Sequence, residues 1–283
     1  MVIIVITSIS FDIKKLLLLT YYNCSLSFSI SIIIIIYLKG VDKGGVPGIG
    51  SAGISISIVL LSKTKHIIAL FTPVLFFSDV YIAFLMRKKA DWNYVKSIAP
   101  SFLFGLLIGW LLITLFTDKI IRLIAGLGLL LLSIIHWSLQ YISKFNLLPM
   151  NNIINHNSYL FKIQNSNILM KYIIGFIAGI LSTVANVAGP LLAVFLIYSN
   201  KSPITITSTR AMIFTFANII KIPMHLINSN MNLNDFPLIL SLIIISLLST
   251  YLTEKYILSY INNRLLENTS WLFIFIAAIF CII

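Results

Sequence analysis

The chain has 283 residues, of which 59% are hydrophobic and only 10% are charged, with a formal net charge of +12. A soluble domain carries about 25% charged residues, so this composition excludes an ordinary soluble protein and indicates a polytopic membrane protein. The basic excess is typical of cytoplasmic loops in such proteins, and no basic stripe with interleaved aromatic residues stands apart from the apolar runs, which argues against a nucleic-acid partner.

The first half begins with the apolar run Leu16–Leu38, which is long enough to cross a bilayer at about 20 residues per span. Lysines follow the N-terminal apolar residues rather than precede them, so we expect no cleaved signal peptide. The next segment, Lys39–Gly53, contains six glycines and one proline and is predicted to be irregular. After the short apolar piece Ile54–Ser62 come the runs His66–Met86, Val95–Phe116 and Leu123–Ile142. In Val95–Phe116, Gly105 and Gly109 form a small-xxx-small face that predicts close helix packing.

A polar segment rich in asparagine, Ser143–Asn167, separates this half from the next and is predicted to be a linker. We therefore divide the chain into a first transmembrane repeat (1–142), a linker (143–167) and a second transmembrane repeat (168–283). The second repeat contains the apolar runs Ile168–Ser199, Pro203–Ile227, Phe236–Leu252 and Ser270–Ile283.

The stretch Gly175–His225 is apolar but is interrupted by polar groups and prolines in the middle of its runs. Pro190 lacks a backbone donor and clashes with the preceding turn, so we expect the helix to break near Val187–Pro190. In a membrane such a break is tolerated only where protein or a water-filled cavity surrounds it. Secondary transporters build their binding sites in this way.

The two halves share a layout, which predicts an all-α membrane protein of two similar repeats with broken helices and about 8–10 apolar segments. Each half breaks at a Gly/Pro cluster, GVPGIG in the first and NVAGP in the second, and we expect the two breaks to meet. The loop Arg87–Trp92 is basic and should face the cytoplasm, whereas Asn228–Asp235 carries no basic residue and should lie outside. Because these loops are counterparts, opposite sides imply inverted repeats.

The motifs in this order resemble the TauE/SafE family of sulfite-exporter permeases. In the first half the similarity lies in GVDKGGVPGIGSAGISI and ALFTPVLFFSDVYIAFLMRKKADW, and in the second half in AGILSTVANVAGPLLAVFLI and TSTRAMIFTFANIIKIP. Together they cover Val41–Leu115 and Gly175–His225. The resemblance implies a permease of the bacterial inner membrane for a small anion such as sulfite, an organosulfonate or thiosulfate.

The chain departs from that family at two places. Asn186 stands where the family often has His, and Ala188-Gly189-Pro190 stands where it often has Gly-Gly-Pro. Ser208-Thr209 replaces a frequent Gly-Thr and is followed by Arg210.

Helices that begin at the breaks would direct free N–H groups and positive dipole ends toward an anion. Polar residues in the second half add hydrogen-bond donors and positive charge. We therefore predict a substrate site formed by Gly44, Gly45, Gly48, Gly50, Asn186, Gly189, Pro190, Thr209, Arg210, Asn218 and Lys221. Asp79 lies inside an apolar run, where a carboxylate is costly unless paired or protonated, and is the candidate for ion coupling.

Structural alternatives remain open for each of these residues. The glycines also fit tight helix packing without a ligand. Lys221 also fits a side chain that snorkels to the membrane face, and Arg210 also fits an interfacial residue. Thr209 also fits a helix cap, and Asp79 also fits a cap near a helix end.

The function predicted from this pattern is a secondary transporter that moves a small anion by alternating access. An inactive permease-like scaffold is one alternative. A membrane-embedded enzyme is another, although the chain has no H-E-x-x-H or G-x-S-x-G motif. Two cysteines without metal-ligand spacing predict neither a disulfide framework nor a metal site. The expected partners are a small anion and the lipid bilayer, without a cofactor.

Overall fold

The computed structural model describes residues 26–61, 64–144, 168–199, 201–228, 230–231 and 235–282, and throughout this part the regular elements are helical. The N-terminal segment 1–25, where the signal-peptide expectation and the start of Leu16–Leu38 fall, lies outside the described residues. Most of the predicted linker also lies outside them, apart from its first two residues, which end a helix at Lys144.

Each half contains five described α-helices. In the first half these are α1 (Leu26–Gly44), α2 (Ile49–Leu61), α3 (Thr64–Met86), α4 (Trp92–Leu115) and α5 (Asp118–Lys144). In the second half they are α6 (Ile168–Ala185), α7 (Ala188–Tyr198), α8 (Pro203–Ile227), α9 (Phe236–Tyr256) and α10 (Asn263–Ile282), with a short 3₁₀-helix at Leu258–Tyr260. Five of the described helices are long and apolar enough to cross a membrane, namely α3, α4, α8, α9 and α10. The chain is therefore a multi-pass integral membrane protein, and its described part is all-helical.

The first break is much shorter than the irregular segment Lys39–Gly53 that the glycine content predicts, and that prediction is wrong. The helix α1 continues to Gly44 and α2 begins at Ile49, so only residues 45–48 interrupt them. Gly45 (φ 148°), directly after α1, and Gly48 (φ 102°), directly before α2, have positive φ values that interrupt the helix. Gly44 is helical, and a side chain there would approach the Cβ of Thr253 on α9 to 2.6 Å. Its glycine serves close helix packing rather than the break.

The second break consists of Asn186 and Val187, between α6 and α7. Asn186 has a φ of 54°, a left-handed conformation that Asn adopts more readily than most residues. Pro190 lies in the first turn of α7, where its missing N–H leaves no helical hydrogen bond unmade. The break predicted near Val187–Pro190 is present, and it begins one residue earlier.

Two pairs of helices pack through small residues, and each pair combines one helix from the first half with one from the second. A Cβ added to Gly109 on α4 would lie 2.8 Å from the Cβ of Thr183 on α6, and Gly105 faces the backbone of Gly179 in the same way. This confirms the close packing predicted from Gly105 and Gly109. In the counterpart pair, Gly44 of α1 faces α9 as described above.

The counterpart helices α3 and α8 run antiparallel. Near the start of α8, Thr209 Oγ1 accepts a hydrogen bond from the backbone N–H of Asp91, which follows α3 (2.9 Å). Beyond the end of α8, the backbone oxygen of Asn230 lies 3.0 Å from Nδ1 of His66, which is near the start of α3. The loops that follow α3 and α8 therefore lie at opposite ends of α8. Inverted repeats require this arrangement, and the repeat relation itself stays a prediction.

Candidate functional site

A small cavity lies beside the second break. It offers about 20 Å³ to the centre of a water molecule, enough for about one water. Its wall is unusually polar for the interior of a membrane protein. The lining residues are Lys39, Asp42, Lys43, Leu75, Ser182, Asn186, Gly189, Pro190, Phe214, Asn218 and Lys221.

The last two turns of α1 contribute three charged side chains to this cavity. Asp42 and Lys43 lie three and four residues after Lys39, and this spacing places all three side chains on one face of the helix. Lys39 and Asp42 are each only 3% exposed. Their burial follows from the continuation of α1 to Gly44, because an irregular segment would not fix them on a common face.

Two buried ion pairs lie at this point, and the pair of Asp42 with Arg210 connects the halves of the chain. Arg210 Nη2 lies 2.7 Å from Asp42 Oδ1. Lys43 Nζ lies 2.7 Å from Asp79 Oδ1, and Asn218 Nδ2 donates to Asp79 Oδ2 at 2.9 Å. Both carboxylates are thus neutralised within the protein.

Two further ammonium groups converge on the second break and meet only neutral acceptors. Lys39 Nζ donates to the backbone oxygen of Asn186 (3.2 Å). Lys221 Nζ donates to Asn186 Oδ1 (2.6 Å) and to both the backbone oxygen and Oγ of Ser182 (3.1 and 3.2 Å). Among the described residues, neither ammonium has a carboxylate within ion-pair distance.

The cluster therefore has a formal excess of two positive charges, because four basic side chains face two carboxylates. A buried ammonium without a counter-ion costs several kcal/mol. The carbonyls at the C-terminal end of α6 offset part of this cost, since they carry the negative end of the helix dipole. A negatively charged ligand in the cavity would offset the remainder.

The helix α7 begins at the same cavity with its positive end. Its N-cap residue, Val187, provides no side-chain hydrogen bond to the first turn. Gly189 and Pro190 of that turn line the cavity. An uncapped helix N-terminus favours an anion through its free N–H groups and its dipole.

The first break differs because it already holds a carboxylate. Asp42 Oδ2 accepts the backbone N–H of Gly48 at 3.0 Å. The other oxygen of this carboxylate faces Arg210 and lies 3.5 Å from where a Cβ on Gly189 would be. The Asp42–Arg210 pair thus touches both breaks, and the two breaks meet there.

The structure groups some of the predicted site residues around the cavity and separates others from it. Asn186, Gly189, Pro190, Asn218 and Lys221 line it directly. Arg210 and Asp79 adjoin it through their partners Asp42 and Lys43.

The predicted glycines of the first break pack against side chains and do not line the cavity. Gly45 faces Leu258, Gly48 faces Phe273, and Gly50 faces Lys39 and Asp42.

Thr209 also lies away from the cavity, at the loop that joins α3 to α4. Its hydroxyl accepts the Asp91 N–H. The Asp91 carboxylate pairs with Lys201 (2.7 Å) and caps α4 by accepting from the N–H of Tyr94 (3.0 Å). Burial opposes the ionisation of Asp91, but these two hydrogen bonds outweigh it and lower the pKa of the carboxyl. Thr209 thus belongs to a group of polar contacts between the N-terminal part of α8 and the loop that joins α3 to α4.

Burial distinguishes some of the alternatives that the sequence leaves open. Lys221 is 1% exposed, which contradicts a side chain that snorkels to the membrane face. Asp79 is also 1% exposed and bonds to Lys43 and Asn218, which excludes a simple cap. Within the part of the chain that the structure describes, no group of three or more His, Cys, Asp or Glu side chains is arranged to hold a metal ion.

Sequence reasoning missed Lys39 and Asp42. The i, i+3, i+4 spacing of Lys39, Asp42 and Lys43 was the available signal, but the glycines around them indicated a loop.

The family model described as "Sulfite exporter TauE/SafE" matches residues 32–281. No curated protein and no solved structure matches the chain.

Proposed function

The chain belongs to the TauE/SafE sulfite exporter family, and from this premise and the site geometry we propose that it is a secondary transporter working by alternating access. Its substrate is a small anion, namely sulfite, an organosulfonate or thiosulfate, and its location is the bacterial inner membrane. The observation that carries the proposal is the convergence of Lys39 and Lys221, buried and without carboxylate partners, on the second break.

The site offers an anion two kinds of attraction in one place. Two ammonium groups supply charge, and the first turn of α7 supplies a helix N-terminus. The low dielectric of the interior strengthens each of these interactions. The broken helices allow the short segments α2 and α7 to move relative to α1 and α6, as alternating access requires.

Asp79 is the proposed coupling residue. Its carboxylate holds Lys43 and Asn218, two residues that line the cavity. Protonation of Asp79 would weaken its ion pair with Lys43 and would make the net charge of the site more positive. Anion binding and protonation would thereby be linked.

Flux measured in proteoliposomes tests the proposal. Purified protein is reconstituted and the uptake of labelled sulfite, thiosulfate, sulfoacetate and sulfate is followed with and without a pH gradient. The wild type should move at least one of these anions, and Lys39→Gln with Lys221→Gln should abolish that flux. Lys255→Gln is the matched control, because Lys255 is exposed and contacts Tyr251 at the helix surface.

Two outcomes would favour the other functions. A wild type that is folded and monodisperse but moves none of the anions would indicate a permease-like scaffold. Turnover of a lipid or peptide by the same preparation would indicate a membrane-embedded enzyme.

A further inference from the structure

Asn186 occupies an unusual position in the cavity, because both of its oxygens are used by buried cations. The backbone oxygen accepts Lys39 and the side-chain Oδ1 accepts Lys221. No other described residue accepts hydrogen bonds from both of these ammonium groups. The pattern resembles a bound anion in which each of two oxygens faces one cation.

The rest of the Asn186 side chain explains why its Oδ1 points toward Lys221. The amide nitrogen donates to the backbone oxygen of Ile68 (3.1 Å) and to Thr72 Oγ1 (3.4 Å) on α3. An amide held by its nitrogen at two acceptors must present its oxygen on the opposite side. The side chain is therefore a fixed dipole with its negative end at the ammonium.

An amide is a poor substitute for a true counter-ion. It carries no net charge, so the formal excess of two positive charges persists when both oxygens are engaged. An entering oxyanion can form full ion pairs with the same ammonium groups, because the acceptor is then charged as well as the donor. Two charges on the ligand would neutralise the excess, whereas one charge would leave half of it.

We propose that Asn186 is an internal stand-in for the substrate, which is an oxyanion with two negative charges that displaces both Asn186 oxygens from Lys39 and Lys221. This inference rests on the proposed function and specifies the charge class of its substrate. It assigns Asn186 the role of a competitor that keeps the empty site closed, rather than a ligand of the anion. Replacement of Asn186 should then change anion affinity in opposite directions, depending on what replaces it.

Asn186→Asp would place a permanent negative charge between the two ammonium groups. The anion would then meet a like charge, which costs several kcal/mol, so its affinity should fall about 100-fold. Asn186→Gly removes the Oδ1 acceptor, and glycine tolerates the φ of 54° at this position. Lys221 then loses its shortest contact, so this variant should be less stable without anion and should bind the anion about tenfold more tightly.

Thermal unfolding of the purified full-length protein, titrated with thiosulfate, sulfoacetate or nitrate in buffer slightly below neutral pH, measures these affinities. A ligand that binds only the folded state raises the melting temperature according to its concentration relative to Kd. Thiosulfate and sulfoacetate carry two charges under these conditions and nitrate carries one. Asn263→Asp is the matched control, because it adds the same charge near Lys201 and outside the cavity.

The inference is supported if the two-charge anions stabilise the wild type more than nitrate does, if Asn186→Asp loses the response and if Asn186→Gly gains it. It is overturned if Asn186→Gly also weakens binding, because Asn186 is then a ligand, or if Asn186→Asp binds like the wild type. Nitrate binding as tight as thiosulfate binding would overturn the two-charge requirement. If no anion stabilises the wild type and none is transported, the proposed function itself fails. If the wild type binds an anion but the two Asn186 variants respond alike, only the inference about Asn186 fails.

Discussion

The two helix breaks look alike in sequence but differ in what neutralises them. At the first break, the carboxylate of Asp42 accepts the N–H of Gly48 and is paired with Arg210. At the second break the corresponding polar residue is Asn186, an amide, and the nearby cations Lys39 and Lys221 have no carboxylate. The charges at the first break neutralise each other, whereas the second break has an excess of positive charge that a negatively charged ligand would neutralise.

This contrast separates a structural role from a binding role. A buried charge pair that loses one partner destabilises the protein, because the remaining charge stays buried and uncompensated. A buried cation that waits for a ligand is already uncompensated, so its removal should spare the fold and abolish binding. Substitutions at the first break should therefore act on stability, and substitutions at the second should act on anion affinity.

The largest effect on stability is expected for Asp42→Asn. It leaves Arg210, which is 3% exposed, without a counter-ion and should cost about 3–5 kcal/mol. Thermal unfolding and the monodisperse fraction in size-exclusion chromatography measure the loss. The double variant Asp42→Asn with Arg210→Gln should recover part of it, since it removes the uncompensated charge. A single variant as stable as the wild type would show that the first break does not depend on its carboxylate.

Lys221→Ala should abolish transport and leave a folded protein. The ammonium contacts only neutral groups, so its loss removes a costly buried charge rather than one member of an ion pair. Truncation of a buried charged contact costs about 2–5 kcal/mol of binding, which corresponds to a flux lower by about 100-fold or more in proteoliposomes. Lys221→Arg keeps the charge but not the geometry and should retain partial flux. Normal flux in Lys221→Ala would move the anion site to the N-terminus of α7 and Arg210.

Much of the second break could be predicted from the sequence, because its polar residues interrupt apolar runs. A Lys, an Asn and a proline within Pro203–Ile227 have few explanations in a membrane helix, and the structure buries Asn218 and Lys221. The antiparallel order of α3 and α8 agrees with the contrast in charge between their following loops. These features are local in sequence, which is why sequence reasoning reaches them.

The first break could not be predicted in the same way, because glycine has two uses that look identical in sequence. Gly45 and Gly48 adopt positive φ values, whereas Gly44 is helical and allows α9 to pack closely against α1. Only the tertiary packing distinguishes them. The glycine count therefore indicated a loop and concealed Lys39 and Asp42, the two charged residues that complete the site.

A smaller effect is expected for Gly48→Ala. A side chain at a φ of 102° is strained, and its Cβ would lie 2.9 Å from the Cβ of Phe273. The cost should be about 1–3 kcal/mol in the free energy of unfolding, with anion affinity unchanged. Gly128→Ala on α5 is the matched control, because its Cβ would meet only Leu181 Cδ2 at 3.7 Å and Ala is the better helix former. Equal stability of the two variants would contradict the strain assigned to Gly48.

The smallest and most discriminating pair of changes is Ser51→Ala and Ser182→Ala. Each serine lies at one break, and each side chain is 1% exposed. Ser51 Oγ donates to the backbone oxygen of Gly48, so its loss should lower the free energy of unfolding by about 1 kcal/mol and leave anion binding unchanged.

Ser182 should behave in the opposite way. Its Oγ accepts from Lys221 at 3.2 Å, and its hydroxyl proton meets no acceptor among the described groups, so it is free to donate to an anion in the cavity that it lines. Loss of one such hydrogen bond, worth about 1 kcal/mol, should weaken thiosulfate or sulfite binding about fivefold with little change in unfolding. Thermal unfolding with and without anion measures both quantities in one experiment. If Ser51→Ala instead weakened anion binding while Ser182→Ala reduced only stability, the division between a self-neutralised break and a ligand-binding break would be wrong, since each substitution removes the same hydroxyl from an equally buried position.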